Sequence, residues 1–458
     1  MRREDPAPAI PITVRRHSAT RSAAAFAALL LLLPGQATPV HAGPPTNDNE
    51  HLSSVQRGVM EVMLKDMLDA VRKEYFDPTF GGVDLNAAYS EAQASMAKAN
   101  SVHEGYETVA NMLRRLNDSH THFIPPQQPF TVDAGWTMQL IGDKCYVTRV
   151  KPGSDAEAKG LKPGDEISVI DTVKPSRENW SDLNYSLNIL SPRSSLHLVV
   201  TSPGGQARAV VTQSVVKPSR TSYDLTNNEY WIFRHQMDAD WEKYESRELT
   251  VGDVQIWQLR NFFVQDSAIE SWFHKAQNSK AIIFDLRQNP GGLVDTMNRM
   301  IGNLFDHDVQ VAQTIGRDKS KPLTAKHSSH PFSGKVIILV DSKSASCSEL
   351  FARVMQLEGR GTVIGDHSSG RVREARIKTF VHGQGQVFAY AAEVTVADLK
   401  MKDGQTLEGT GVTPDENLLP SQAELAAGAD PQLARALQLA GISMSAQKAG
   451  TLFPPPGP

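Results

Sequence analysis

Two apolar, strand-like runs each end at a corner of small residues, and this pair constrains the chain more than any other feature. Val336 to Val340 leads into Ser344-Ala345-Ser346-Cys347-Ser348-Glu349, and Leu350 to Gln356 is amphipathic. A serine then stands at a strand-to-helix corner, where its hydroxyl projects and the helix-start N–H groups are open to an oxyanion. The other run, Ala281 to Leu286, leads into Asp285-Leu286-Arg287-Gln288-Asn289-Pro290-Gly291-Gly292. Its glycine pair lets backbone N–H groups approach a ligand closely. Side by side, the corners would supply a nucleophile and both halves of an oxyanion hole. Each has a plainer reading alone: Ser346-x-x-Glu349 is also a capping box, and a glycine pair is also a tight turn.

Three textures follow one another along the chain. From Leu52 to Leu116, Val59, Met63, Met67 and Val71 recur at spacing four, widened by Met60, Leu64 and Leu68, which predicts helices. Asp77-Pro78 and Gly81-Gly82 interrupt them. From about Phe130 to Pro218 short strands and turns take over, as in Tyr146 to Val150 followed by Lys151-Pro152-Gly153-Ser154. From Thr221 to Leu419 strands alternate with helices, the rhythm of an α/β core. Pro420 to Ala440 reads as one Ala-rich helix, and Phe453-Pro454-Pro455-Pro456 as a disordered end.

With 458 residues the chain is long enough for two or three domains with a substantial core. Residues 1–42 read as a secretory leader: Arg15, Arg16 and Arg21 precede the apolar stretch Ala23 to Leu33, and Val40-His41-Ala42 suits cleavage. That stretch is too short to span a bilayer. The leader holds five Arg against Glu4 and Asp5, a formal +3, so the remainder carries −7 of the −4 total. A mildly acidic protein does not suit nucleic acid as a partner. Cys145 and Cys347 are the two cysteines, and two free thiols are expected, since a disulfide would occupy the serine corner. So few cysteines exclude a structural metal site built mainly from them.

The two corner motifs together resemble those of the C-terminal-processing (tail-specific) serine peptidases, relatives of the tricorn core protease and the interphotoreceptor retinoid-binding proteins. Asp285-Leu286-Arg287-x-Asn289-x-Gly291-Gly292 is similar to that family's oxyanion motif, and Ser344-Ala345-Ser346-x-Ser348-Glu349 to its nucleophile motif. Within Phe130 to Pro218, Gly160-Leu161-Lys162-Pro163-Gly164-Asp165 resembles a PDZ domain. Gly135, Trp136 and Thr137 would then lie where such domains bind a terminal carboxylate, adding the peptide as a strand to a sheet edge. The module read as a scaffold without a ligand is the alternative.

A serine hydroxyl needs a base within reach. The resemblance implies a lysine in the turn Gly365-Asp366-His367-Ser368-Ser369-Gly370-Arg371-Val372, but Arg371 holds that place. Arginine stays protonated and cannot accept the proton, and Leu357 stands where an accompanying acidic residue is expected. The tricorn-like branch instead uses an upstream Ser-His pair and a late glutamate. Leu116-Asn117-Asp118-Ser119-His120-Thr121-His122-Phe123 and Glu408-Gly409-Thr410-Gly411-Val412-Thr413-Pro414-Asp415 are similar to those segments. The resemblance therefore implies Ser346 as nucleophile, His120 as base, Ser119 and Glu408 as its supports, and Gly292 and Cys347 as oxyanion donors. His122, two residues on and on the same face of a strand, stays open as the base. The two histidines are also half of a metal site, but no further ligands cluster with them.

The expected architecture is a multidomain α+β protein with five segments: a leader (1–42), an N-terminal helical region (52–125), a PDZ-like β domain (130–218), a ClpP/crotonase-like α/β core (221–419) and a C-terminal helix and tail (420–458). The expected function is an exported, periplasmic serine endopeptidase acting on proteins or peptides, with no cofactor, no metal and no membrane span after leader removal. Self-association is left open. The alternative from a different class is a noncatalytic carrier of an apolar ligand or peptide on the same core.

Overall fold

The computed structural model of the protein describes residues 12–15, 52–126, 128, 130–218, 246–382 and 388–453. The leader falls outside the described residues except for Ile12–Arg15, whose backbone pairs antiparallel with Arg247–Val251. The residues after Phe453 also lie outside them.

Helices Ser54–Glu74, Leu85–Met96 and Val102–Arg114 form the N-terminal region. The first starts on a Ser53–Gln56 capping box, and its stripe of Met60, Met63, Leu64, Met67, Leu68 and Val71 is buried. The methionines are core filling. Burying each such side chain contributes roughly 1.5–3 kcal/mol.

A five-stranded antiparallel sheet follows, in the order Trp136–Ile141, Lys144–Val150, Glu166–Ile170, Ser195–Thr201, Ala207–Gln213. Trp180, Leu183 and Leu190 from the segment beside it close its core against Trp136, Leu140 and Val147. Trp136–Ile141 is an edge strand.

The core is built on a seven-stranded sheet in which Val254–Gln258, Ala281–Asp285, Lys335–Val340, Gly361–Gly365 and Glu416–Asn417 run parallel. Parallel strands covered on both faces read as continuous apolar runs, and Ala281–Asp285 is buried at every position. Helices Asp266–Ala276, Val294–Gly302 and Cys347–Leu357 cover one face, where Phe284, Ile338 and Phe351 meet. Pro431–Leu439 covers the other over Ile283, Ile337 and Leu339.

Two features depart from the sequence reading. The expected single helix Pro420 to Ala440 is two, Gln422–Ala426 and Pro431–Leu439. Gly428 with φ +65° stops the first, and Asp430 caps the second with Pro431 in its first turn. A second sheet also stands beside the core, in the order Ser320–Ala325, Val309–Gly316, Phe388–Lys400, Arg373–His382. His122–Ile124 pairs with Phe388–Lys400, which carries the Ser119-His120 turn from the helical region to the core.

Candidate active site

Ligands of parallel sheets gather beyond the carboxyl ends of the strands, and both corner motifs lie there. Leu286 N–H donates to the Leu339 carbonyl (2.9 Å), Ala345 N–H to the Asn289 carbonyl (3.0 Å), and Ser344 Oγ to the Leu286 carbonyl (2.8 Å). Gly291 adopts φ +109° and Gly292 φ +144°. A Cβ on Gly291 would stand 2.8 Å from Ser346 Cβ and 3.2 Å from Cys347 N. The glycine pair thus lies directly on the serine corner. Arg287 anchors the loop, binding Asp285 (2.8 Å) beside the strand and Asp430 (2.8 Å) at the start of the C-terminal helix.

Ser346 precedes the first turn of Cys347–Leu357 with φ +55° and ψ −119°. A side chain rarely adopts such a backbone, and strain of this kind costs about 1–3 kcal/mol. Neighbouring bonds hold it there. Its N–H lies 2.8 Å from the Arg371 carbonyl and 3.0 Å from Glu349 Oε2. Glu349 thus caps the Ser346 N–H as a capping box would, while Ser346 stays half-buried at the corner.

Glu349 does more than cap. It is fully buried and also accepts from Ser368 Oγ (2.5 Å), Gly370 N–H (2.7 Å) and Arg371 N–H (3.0 Å). Burial pushes its carboxyl up to about 7, against the pull of those donors. The glutamate fastens the Gly365-to-Val372 turn to the serine corner.

The upstream motif assembles at the other side of that turn. Ser119 Oγ donates to Glu408 Oε2 (2.8 Å), and His120 Nδ1 lies 2.7 Å from Ser119 Oγ. With the hydroxyl proton spent on the carboxylate, Ser119 accepts from His120 Nδ1–H. That tautomer leaves Nε2 with its lone pair. Glu408 is held by Ser119 N–H (3.0 Å) and Val372 N–H (2.9 Å). Burial first, and then the Arg371 charge, push His120 down to about 3. His122 is likewise pushed down to about 3, but its Nε2 sits 2.6 Å from the Ser119 carbonyl and 2.9 Å from Arg371 Nη2.

Asp118 was not singled out from the sequence, and it shapes this turn. Its Oδ1 accepts from His120 N–H (2.8 Å) and Thr395 Oγ1 (2.6 Å), its Oδ2 from Tyr75 (2.9 Å), and Arg373 pairs with it. An aspartate two residues before the histidine is the signature of such a side-chain-closed turn. Asn117, with φ +48°, completes it.

The peptide-binding residues expected at Gly135, Trp136 and Thr137 open the edge strand. Gly135 N–H is engaged by Asp133 Oδ1 (2.9 Å), and Trp136 is buried with its indole donating to Thr212 (3.3 Å). Thr137 Oγ1 meets Thr148 Oγ1 (3.0 Å). The edge itself abuts the loop that leads to Ser346: Lys343 Nζ donates to the Met138 carbonyl (2.9 Å) and Ser342 Oγ to the Leu140 carbonyl. Cys145 and Cys347 are free and buried. Among the described residues no group of three or more His, Cys, Asp or Glu side chains is placed to hold a metal ion.

Residues 250–418 match peptidase family S41, and residues 130–201 match the PDZ domain. Residues 250–418 are thus a serine peptidase core of family S41, and residues 130–201 a PDZ domain. Among this peptidase's relatives is the chloroplast carboxyl-terminal-processing peptidase 3 of Arabidopsis thaliana, 23% identical over 81% of this chain and 70% of that one. The carboxyl-terminal-processing protease of Synechocystis is 23% identical over 73% and 77%. CtpA of Bacillus subtilis is 21% identical over 74% and 70%. The fold is similar to that of mature CPAF, with a TM-score of 0.60 at 14% identity, covering 80% of this chain and 94% of that one. The peptidase thus has the expected α+β architecture, and among its described residues no helix is long and apolar enough to cross a membrane.

Proposed function

We propose that this peptidase cleaves proteins or peptides through an acyl-enzyme on Ser346, with His120 as base in a Ser-His-Ser-Glu tetrad. The observation that carries the reading is the unbroken hydrogen-bond chain from Glu408 through Ser119 to His120 Nδ1. In acylation Ser346 Oγ bonds to the scissile carbonyl carbon, its proton passes to His120 Nε2, and the carbonyl electron pair moves onto oxygen. Gly292 and Cys347 N–H groups receive that oxyanion. Within the pair Gly291 N–H is spent on Asn289 Oδ1 (2.8 Å), which favours Gly292 as the donor. One such donor is worth about 2.7–4 kcal/mol of barrier. Collapse expels the amine, which takes the proton from His120; water then repeats the sequence on the acyl-enzyme. Glu408, shared with Ser119, balances the charge on the imidazolium.

His120 is favoured over His122 because its Nε2 is the nitrogen left for the substrate, whereas His122 Nε2 is committed to Ser119 and Arg371. The processing peptidases among its relatives support cleavage near substrate C-termini, with the PDZ edge strand Trp136–Ile141 presenting the chain. The leader-like N-terminus supports export to a periplasm, where self-association would be read by ultracentrifugation. The test of the tetrad is intact-mass labelling by a fluorophosphonate. One adduct, lost in Ser346→Ala and slowed about 100-fold or more in His120→Ala, is expected. Labelling that survives His120→Ala but not His122→Ala moves the base by two residues. No adduct, with tight peptide or apolar-ligand binding unchanged in Ser346→Ala, supports the noncatalytic carrier instead.

A further inference from the structure

The two halves of the site are far apart in the sequence, and Arg371 touches both. Arg371 receives Ser346 N–H at its carbonyl (2.8 Å) and gives its own N–H to Glu349 (3.0 Å). Its guanidinium reaches the other half, where Nη2 donates to the Ser119 carbonyl (2.8 Å) and lies 2.9 Å from His122 Nε2. The next residue, Val372, holds Glu408. We propose that Arg371 is a positioning residue, a strut that sets the Ser119-His120 turn against the Ser346 corner. The inference rests on the tetrad reading above.

The chemistry of the position fits this role. A fixed cation in the place expected for a lysine base has no proton-accepting function, but a guanidinium offers several donors in a rigid plane. The Ser119 carbonyl lies one peptide bond from His120, so the Nη2 contact fixes the backbone from which the imidazole projects. Arg371 Nε is buried with no hydrogen-bond partner among the described residues, which leaves a desolvated donor unpaired. A side chain needed only to fill space would avoid that cost.

The charge has a second consequence. Arg371 faces His120 and His122 from the turn, and Glu393, which lies opposite His122 on Phe388–Lys400; His120 also faces Asp118, which favours its protonation, and Arg373, which opposes it. Glu393 is raised by burial to about 7 and pulled back by Arg371. Arg371 therefore opposes protonation of His120, which works against uptake of the Ser346 proton and in favour of its release from the imidazolium to the leaving amine. It touches no reacting atom, so it acts through His120.

The experiment measures kcat, KM and pH profiles on a peptide substrate for wild type, Arg371→Met, Arg371→Lys, His120→Ala and the double variant His120→Ala/Arg371→Lys. Thermal melting accompanies each. Arg371→Met should lower kcat about 100-fold with KM nearly unchanged, and should move the acid limb of its residual activity to higher pH. Arg371→Lys keeps the charge and one donor, so it should recover part of kcat with an acid limb near wild type. The lysine variant carries the test if the methionine variant fails to fold. A wild-type kcat and acid limb in a folded Arg371→Met overturns the strut. Activity in the double variant also overturns it, since position 371 would then be within reach of the serine as a base. Wild-type activity in His120→Ala alone overturns the tetrad and leaves the arginine result to be read separately.

Discussion

Gln139, in the middle of the PDZ edge strand, donates its amide to Asp341 Oδ2 (2.7 Å) at the start of the nucleophile loop. The other oxygen of Asp341 accepts from Gln288 N–H (2.9 Å) in the oxyanion loop and from the N–H groups of Lys343 (3.0 Å) and Ser344 (3.1 Å). One buried carboxylate thus joins the PDZ edge to both the Ser346 corner and the glycine-pair corner. A peptide adding to that edge would compete with Lys343 and Ser342 for the Met138 and Leu140 carbonyls, and would so act on the same loop.

Gln139→Leu removes the contact from the PDZ side and leaves Asp341 short of a donor. Unfolding by urea should show a loss of about 1–3 kcal/mol. Fluorophosphonate labelling of Ser346 should slow as well, although the substitution lies outside the catalytic domain. An unchanged labelling rate would reduce the contact to a buttress between domains.

Gly291→Ala should abolish activity while the protein stays folded. The position needs φ +109°, and the new Cβ would press on Ser346 Cβ at 2.8 Å and the Ala345 carbonyl at 3.1 Å. Strain of about 1–3 kcal/mol lowers the melting temperature modestly. Displacing Ser346 should cost about 100-fold or more in kcat, so activity near wild type would contradict the close approach.

Much of this site was legible because its parts are local. The runs Ala281 to Leu286 and Val336 to Val340 declare buried parallel strands, and the residues after them can serve few ends. Ser119, His120 and Glu408 were readable only through resemblance, since nothing local joins residues so far apart. The second sheet was not legible. The alternation in Arg373–His382 marks a strand but not its partners, and the pairing of His122–Ile124 with Ala391–Glu393 is a long-range contact with no local signal. Glu349 was visible only as a cap, because its other three donors come from the turn that ends at Arg371. The break at Gly428 and Pro431 was readable in principle, but the alanine content outweighed it.

The cysteines separate a serine mechanism from a thiol one. Burial pushes Cys145 and Cys347 each up to about 12, so neither is a thiolate at neutral pH. Cys347 Sγ also donates to the Gly292 carbonyl (3.3 Å). A disulfide-exchange reagent such as DTNB should titrate no thiol in the native protein and two after denaturation. Peptidase activity should survive the native treatment. Rapid native reaction with loss of activity would show that the corner opens to solvent.

Glu349 gives the site a pH dependence whose sign follows from its environment. Its carboxyl is raised from 4.5 to about 7 in the folded state. Between those values the folded protein holds a proton that the unfolded chain has released, so this contribution is full below pH 4.5 and declines as pH rises through 7. The decline is at most about 3 kcal/mol. His120 and His122, pushed down to about 3, act in the opposite sense: below pH 6.5 the unfolded chain binds their protons first, and stability falls as pH drops toward 3. Glu349→Gln isolates the carboxyl, because the amide does not titrate. The stability of wild type relative to this variant, from urea unfolding at pH 4.5 and pH 7.5, should fall on going to the higher pH. Equal differences at the two values would mean that Glu349 is ionised throughout, its four donors outweighing burial. Labelling of Ser346 should be slower in the variant at both pH values, because an amide has one acceptor oxygen for two pairs of donors, so its NH2 must face either the Ser346 and Arg371 N–H groups or the Gly370 N–H.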